Sequence, residues 1–268
     1  LTDSLSLDGV EYLVICVKYP ALDKLLSELP PVPPTCTIVS TLNGVEPLRL
    51  IRKRLPQARV IPMSVMYNGQ LPGPLHAHIT TRAEVIVGGG DTRLSASFGD
   101  TGIKVSSAQG DSAVWGKLLI NLANAICATT HKTFKDLLSD HDLRVIYTAV
   151  LDEATAVLKA SGNAYQLPIA VPYPVYRQII LRGGPLPWWF ARAKNGLREG
   201  AYPSMVSDVE QGRPTEVQQL NGEIAALARE HGLAAPVNTR IAGIVGGMAG
   251  KLPPPYLGIA ALRAELGL

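Results

Sequence analysis

The chain changes texture near residue 110, and that change constrains its fold more than any other feature. Before it, short apolar, β-branched runs at Glu11–Lys18, Thr37–Ser40, Ala58–Met66, Glu84–Val87 and Gly102–Val105 read as strands. They alternate with helical stretches at Leu22–Leu29, Glu46–Leu55 and, more briefly, Leu94–Phe98. The first run is continuously apolar, as in a strand buried on both faces of a parallel sheet. After residue 110 the strands stop. Helical patterns cover Asp111–Thr130, Lys132–Ser161, Tyr176–Arg182, Trp188–Arg198, Pro214–His231 and Pro236–Lys251, with a last turn or two in Tyr256–Leu266. Prolines 168, 172, 174, 185, 187 and 203 punctuate them. The expectation is an α/β unit over residues 1–110 and an all-helical unit over 111–268. A chain of 268 residues is long enough for two such cores.

Within the helical half, Trp115-Gly-Lys-Leu-Leu-Ile-Asn-Leu-Ala-Asn-Ala-Ile-Cys-Ala128 is nearly all apolar. A helix apolar all round is buried. Its three long polar residues, Lys117, Asn121 and Asn124, stand at i, i+4 and i+7, so they share one face. An unpaired buried ammonium is costly and its pKa falls. Such a lysine needs partners, a cleft or a chemical task. The plainer reading is that Lys117 reaches solvent and the asparagines bond nearby backbone.

The ends of the first two strands carry polar residues. Lys18 closes the first, and Thr41-Leu-Asn-Gly44 follows the second. In open parallel sheets ligands bind beyond the carboxyl ends of the strands. Asn43-Gly44 also suits a left-handed turn, which by itself explains the pair. The Asn68–Pro74 segment reads as a turn-rich loop, Thr2–Gly9 as a polar one, and Gly88-Gly-Gly90 as a turn. Further on, Ser204 and Asp208 precede the Pro214–His231 helix. Pro214, Thr215 and Glu216 fall in its first turn, where a carboxylate favours the helix dipole. Gly232 caps its end.

Composition narrows the classes. Apolar residues make up 47% and charged residues 18%, as in a globular protein, and the net charge is +3 with no basic block of a nucleic-acid arm. The histidines, His76 and His78 included, show no metal-ligand spacing with the cysteines. Cys16, Cys36 and Cys127 lie in apolar runs and read as free thiols in a reducing, cytoplasmic setting. No apolar run reaches the length of a membrane span.

Taken together, the motifs resemble the ketopantoate reductase family. They are Val17-Lys18, Leu42-Asn43-Gly44 and Trp115-x-Lys117-Leu-Leu-x-Asn121. Then come Ser204-Met205-x-x-Asp208, Gly212-Arg213-x-Thr215-Glu216, Asn221-Gly222, His231-Gly232 and Pro236-x-Asn238. The resemblance implies a Rossmann-type domain followed by a helical domain of the 6-phosphogluconate dehydrogenase type, with the site between them. It implies NADPH-dependent reduction of ketopantoate to pantoate, toward pantothenate and coenzyme A. By position, Lys117 matches the catalytic lysine, and Asn121 and Ser204 match substrate contacts. Glu216 matches a glutamate bordering cofactor and lysine. Asn43, with Gly44, matches the nicotinamide end, and Lys18 a lysine near the cofactor.

The sequence departs from the family pattern in three places. The Gly-rich turn of a first strand–helix unit is not among these residues. The expectation is that about two strands and their connections, roughly 50 residues, lie ahead of Leu1; the alternative is an incomplete cofactor site. Asn124 comes three residues after Asn121, where many relatives have four. His131 and Lys132 occupy the region of a later substrate asparagine. The substrate could therefore be another 2-oxo acid, or the protein a non-catalytic nucleotide-binding homologue. The Trp188-Trp189-Phe190 patch reads as core packing, with a lid or a homodimer contact as the alternative.

Overall fold

The computed structural model describes residues 5–74, 76–169 and 171–268, and the side chains of all of these except 70, 71, 72 and 195. Of the opening loop expected over Thr2–Gly9, residues 2–4 lie outside the described residues.

The first half is a five-stranded sheet in the order β1-β2-β3-β6-β7. Its strands are β1 (Tyr12–Ile15), β2 (Thr37–Ser40), β3 (Arg59–Val65), β6 (Glu84–Gly88) and β7 (Lys104–Ala108). Helix α1 (Tyr19–Glu28) joins β1 to β2 and α2 (Glu46–Arg54) joins β2 to β3, so these three strands run parallel, with Ile15 level with Ser40 and Ser40 with Pro62. Between β3 and β6 the chain makes a hairpin, β4 (Gly69–Gly73) and β5 (His76–Ile79), instead of a crossover helix. It therefore re-enters the sheet antiparallel to β3, with Met63 opposite Val87. The sheet is mixed, and the loop expected over Asn68–Pro74 is a strand. A short α3 (Thr92–Ala96), capped by the Asp91 side chain, leads to β7, which starts two residues later than the expected strand and ends three later.

Alternation along β2 sends Ile38 and Val39 to opposite faces. Ile38 packs with Ile15, Leu22, Leu26 and Ile51, and Val39 with Ile61, Met63, Val85, Val87 and Leu94. Among the described residues β1 pairs with β2 alone; its Ile15 is buried and its Val14 is 44% exposed.

The second half is helical. Its elements are α4 (Ser112–Asn121), α5 (Ala123–Thr130), α6 (Phe134–Ser139), α7 (His141–Ala160), α8 (Tyr173–Arg182), α9 (Leu186–Asn195) and α10 (Ser204–Glu210). A 3-10 turn (Glu216–Gln219), α11 (Asn221–Glu230), α12 (Pro236–Gly246) and α13 (Ile259–Glu265) complete it. Three expected helices are divided. Asp140 is extended and caps α7 by accepting from Leu143 N, so Lys132–Ser161 becomes α6 and α7. Leu220, with φ −113° and ψ −93°, separates the 3-10 turn from α11. Leu122 separates α4 from α5, yet its backbone stays right-handed helical (φ −58°, ψ −23°) and its N–H reaches both Leu118 O and Leu119 O. The axis therefore carries on with little change. Ser204 and Asp208, expected ahead of a helix, lie within one of their own.

One core joins α4, α5, α7, α11 and α12, and it includes Val45 and Leu48 from the start of α2. The sheet half and the helical half are thus packed through α2. The aromatic patch divides: Trp188 is 4% exposed and belongs to this core, while Trp189 and Phe190 are 57% and 60% exposed. A helix of this length cannot turn three consecutive side chains inward. No helix among the described residues is long and apolar enough to cross a membrane.

Candidate active site

The polar stripe read from the sequence survives the break at Leu122. Leu118, Leu119, Leu122, Ala123, Ala125, Ile126, Cys127 and Ala128 are all buried, whereas Lys117, Asn121 and Asn124 keep partial access to solvent. Burial is what makes Lys117 unusual. It pushes the ammonium down from 10.5 to about 8, and the attraction of Glu216 acts the other way. Part of the enclosure comes from the segment after α7. Gln166 N donates to Ser112 O at 2.9 Å, and Gln166 O would lie 1.8 Å from a Cβ on Gly116. Only glycine at position 116 allows that strand of chain to lie across α4 beside the lysine.

Glu216 opens the 3-10 turn, which Thr215 caps by accepting from Val217 N. It reaches the other half of the molecule: Asn43 Nδ2 donates to Glu216 Oε2 at 3.1 Å. Gly44 follows with φ +83°, the left-handed turn expected of the pair. A Cβ there would sit 2.5 Å from Gln219 O, so the same glycine also permits the close approach of the β2–α2 turn to the 3-10 turn. The structure thus brings together Lys117, Asn43, Gly44 and Glu216 from both halves. Asn121 and Asn124 continue the line away from Lys117.

Lys18 lies at the same carboxyl edge of the sheet. Its Nζ is 3.6 Å from Asp208 Oδ1 on α10, and Asp208 is buried and also takes Nε and Nη2 of Arg213, at 3.0 Å and 2.7 Å. Ser204 is the exposed first residue of α10, which packs on α5. The described contacts join neither Ser204 nor Lys18 directly to Lys117.

His131 has a structural role. It is the one described non-glycine residue with positive φ (52°), it stacks between Tyr202 and Tyr256 with centroids 5.3 Å and 4.7 Å away, and its Nε2 lies 2.7 Å from Glu210 Oε1.

Sequence reasoning missed the ion pairs across the seam. Arg49 Nη1 donates to Glu223 Oε1 at 2.6 Å, and Arg52 makes a fork to both oxygens of Asp111 at 2.6 Å and 2.8 Å. The available signal was a pair of arginines three apart on α2, indistinguishable in sequence from a solvated face.

The seam can polarise a small anionic carbonyl compound. An ammonium of near-neutral pKa sits at the end of a line of carboxamides, with a carboxylate and a second carboxamide across from it. Residues 111–249 match the profile described as ketopantoate reductase PanE/ApbA C terminal, and residues 2–92 match ketopantoate reductase PanE/ApbA. The chain belongs to the ketopantoate reductase family. It is 33% identical over 132 residues to 2-dehydropantoate 2-reductase of Vibrio cholerae serotype O1, a stretch covering 48% of this chain and 38% of that relative. The matched stretch thus spans well under half of the relative's length. The fold is similar to that of a PanE/ApbA family ketopantoate reductase from Ralstonia eutropha JMP134. The TM-score is 0.72 at 24% identity, over 90% of this chain and 76% of that one. It is also similar to D-mandelate dehydrogenase in complex with NADH. There the TM-score is 0.69 at 16% identity, over 89% and 78% of the two chains. A Rossmann-type sheet domain followed by a helical domain is the architecture of this family and of this chain.

Proposed function

We propose that the protein reduces 2-dehydropantoate to pantoate with NADPH, in the route to pantothenate and coenzyme A. The observation that carries this reading is the enclosed Lys117, brought down to about 8 and facing Glu216 at the seam between sheet and helices. Residues 1–110 serve as the nucleotide-binding unit and 111–268 as the substrate unit. The residues at the carboxyl edge fit a nicotinamide nucleotide. Lys18 offers a cation, Asn43 an amide, and the buried Ser40 hydroxyl there has no hydrogen-bond partner. Gly44 leaves the turn free of a side chain. Once bound, the nicotinamide supplies the hydride to the ketone carbon.

The chain's own residues do the rest. Lys117 hydrogen-bonds the ketone oxygen, stabilises the negative charge that develops there, and gives up its proton to form the alcohol. With a pKa of about 8 it is roughly nine-tenths protonated at pH 7, and it transfers a proton far more readily than an ordinary lysine. Glu216 keeps the ammonium charged, and Asn43 holds Glu216 in place. Asn121 and Asn124 bind the carboxylate and hydroxyl of the substrate, and Ser204 closes on it from α10.

A second reading keeps this chemistry but changes the substrate to another 2-oxo acid. It rests on Asn124, one residue earlier than in many relatives, and on His131, which is committed to its stack with Tyr202 and Tyr256. NADPH oxidation by the full-length protein with 2-dehydropantoate, pyruvate, 2-oxoisovalerate and benzoylformate separates the two. Preference for 2-dehydropantoate supports the first, and preference for any other acid supports the second. Nucleotide binding without turnover on any of them contradicts both.

A further inference from the structure

Helix α2 links the turn that carries Asn43 to the elements beside Lys117 and Glu216. Asn43 and Gly44 form the turn just before it. Val45 and Leu48 enter the helical core from its first turns. Arg49 and Arg52, one helical turn apart and so on one face, both leave the sheet half and pair with carboxylates of the helical half. The carboxylates they choose are specific in place. Asp111 is the residue before α4, six positions ahead of Lys117, or about 9 Å along the helix. Glu223 lies in the first turn of α11, just after the break at Leu220 that separates this helix from the turn bearing Glu216. One arginine therefore grips the base of the lysine's helix, and the other grips the element next to the glutamate.

We propose that Arg49 and Arg52 are positioning residues of the reductase. Through Glu223 and Asp111 they fix the Asn43 turn against Glu216 and Lys117, so that α2 sets the spacing of the reacting groups. The inference rests on the function proposed above and assigns work to residues outside its list.

The two pairs differ in character. The Glu223 side chain is 4% exposed, and burial pushes its carboxyl upward while Arg49 pulls it down; Glu46 and Glu230 are the other charges that face it. Tyr19 donates to Glu46 from α1, and Arg49 Nη1 is also 3.8 Å from Glu46. Arg52 and Asp111 are more open, but their two-pronged geometry fixes orientation as well as distance. A surface ion pair adds little stability. Placement is a different matter, since a misplacement of about 1 Å at a reacting group costs on the order of a hundredfold in rate.

The test compares full-length wild type with Arg49→Met, Arg52→Met, Arg49→Lys and the double variant Arg49→Met/Glu223→Met. The double variant leaves no buried carboxylate without its partner, so it folds even where the single one does not. In Arg49→Met and Arg52→Met, kcat should fall about ten- to a hundredfold while KM for NADPH moves less than about threefold. In Arg49→Met and in the double variant the alkaline limb of the kcat profile should also move to lower pH. Glu216, the charge that faces Lys117, is then no longer held close. Arg49→Lys should recover part of the rate, since it restores the charge but not the reach and fixed direction of the guanidinium N–H. A double variant with wild-type kcat and an unmoved limb would overturn the proposal. So would a rate loss that merely tracks the folded fraction, with no change in limb.

If wild type reduces none of the 2-oxo acids, the functional reading has failed and this one is read without turnover. The pH dependence of Lys117 acetylation by acetic anhydride, followed by mass spectrometry, should shift to lower pH in the double variant. An identical profile would refute the positioning role.

Discussion

Asn43 Nδ2 donates to Glu216 Oε2 at 3.1 Å, across 173 residues of sequence and across the seam between sheet and helices. Among the described residues, Glu216 is in turn the charge that steadies the enclosed ammonium of Lys117. Removing the negative charge with Glu216→Gln should therefore lower the apparent pKa of Lys117 below about 8, and the alkaline limb of turnover should begin earlier. Asn43→Ala should shift the limb the same way by less, because it frees the carboxylate without neutralising it. pH–rate profiles of the two variants check this, and a limb moving to higher pH would be incompatible with it.

Lys117 should also cost stability at neutral pH. Its folded pKa lies below the ordinary 10.5, so between about pH 8 and 10.5 the unfolded chain binds a proton that the folded chain has lost. Stability contributed by this group thus rises through that window, and the full penalty is present below it. Lys117→Met should stabilise the protein at pH 7 by up to about 3 kcal/mol, at 1.36 kcal/mol per pKa unit, and the gap should close by pH 10.5. Urea midpoints at pH 7 and pH 10 measure it.

Three glycines should respond differently to alanine. At Gly116 a Cβ meets Gln166 O at 1.8 Å, a backbone atom in a segment that cannot step aside without uncovering α4. At Gly44 a Cβ meets Gln219 O at 2.5 Å and the backbone is left-handed (φ +83°). Gly243, inside α12, has open space. Gly116→Ala should cost more than about 3 kcal/mol and Gly44→Ala about 2–3, whereas Gly243→Ala should gain about 0.5–1. Denaturant unfolding at one pH ranks them.

Much of the fold was legible because patterning is local. The β-branched run at Thr37–Ser40 and the amphipathic run at Glu46–Arg54 each declare their own structure. Lys117, Asn121 and Asn124 declared themselves by interrupting an apolar helix. What escaped was settled by distant partners or by single backbone residues. The burial of Val14 depends on neighbours outside the Tyr12–Ile15 run, which the run itself does not specify. The division at Leu220 turns on one residue's dihedrals. The pairs Arg49–Glu223 and Arg52–Asp111 join positions 174 and 59 residues apart, and no periodicity encodes such a contact.

His131 shows the same limit at a single side chain. It occupies the region where the family's pattern has a later substrate asparagine, and its ring is held between Tyr202 and Tyr256 and its Nε2 by Glu210. His131→Asn, which tolerates the left-handed backbone but removes the stack, should lower stability by about 1–2 kcal/mol and change KM for the 2-oxo acid less than about threefold. Thermal unfolding and steady-state kinetics together decide between packing and contact.

The central claim is that Lys117 is the acid of a reductase, and Lys117→Ala in the full-length protein tests it most directly. NADPH binding and 2-oxo acid reduction should be measured on the same preparation. The expected result is a kcat lower by about 10²–10⁴-fold with NADPH affinity within about threefold of wild type. Turnover comparable to wild type in a folded, nucleotide-binding Lys117→Ala protein would contradict it.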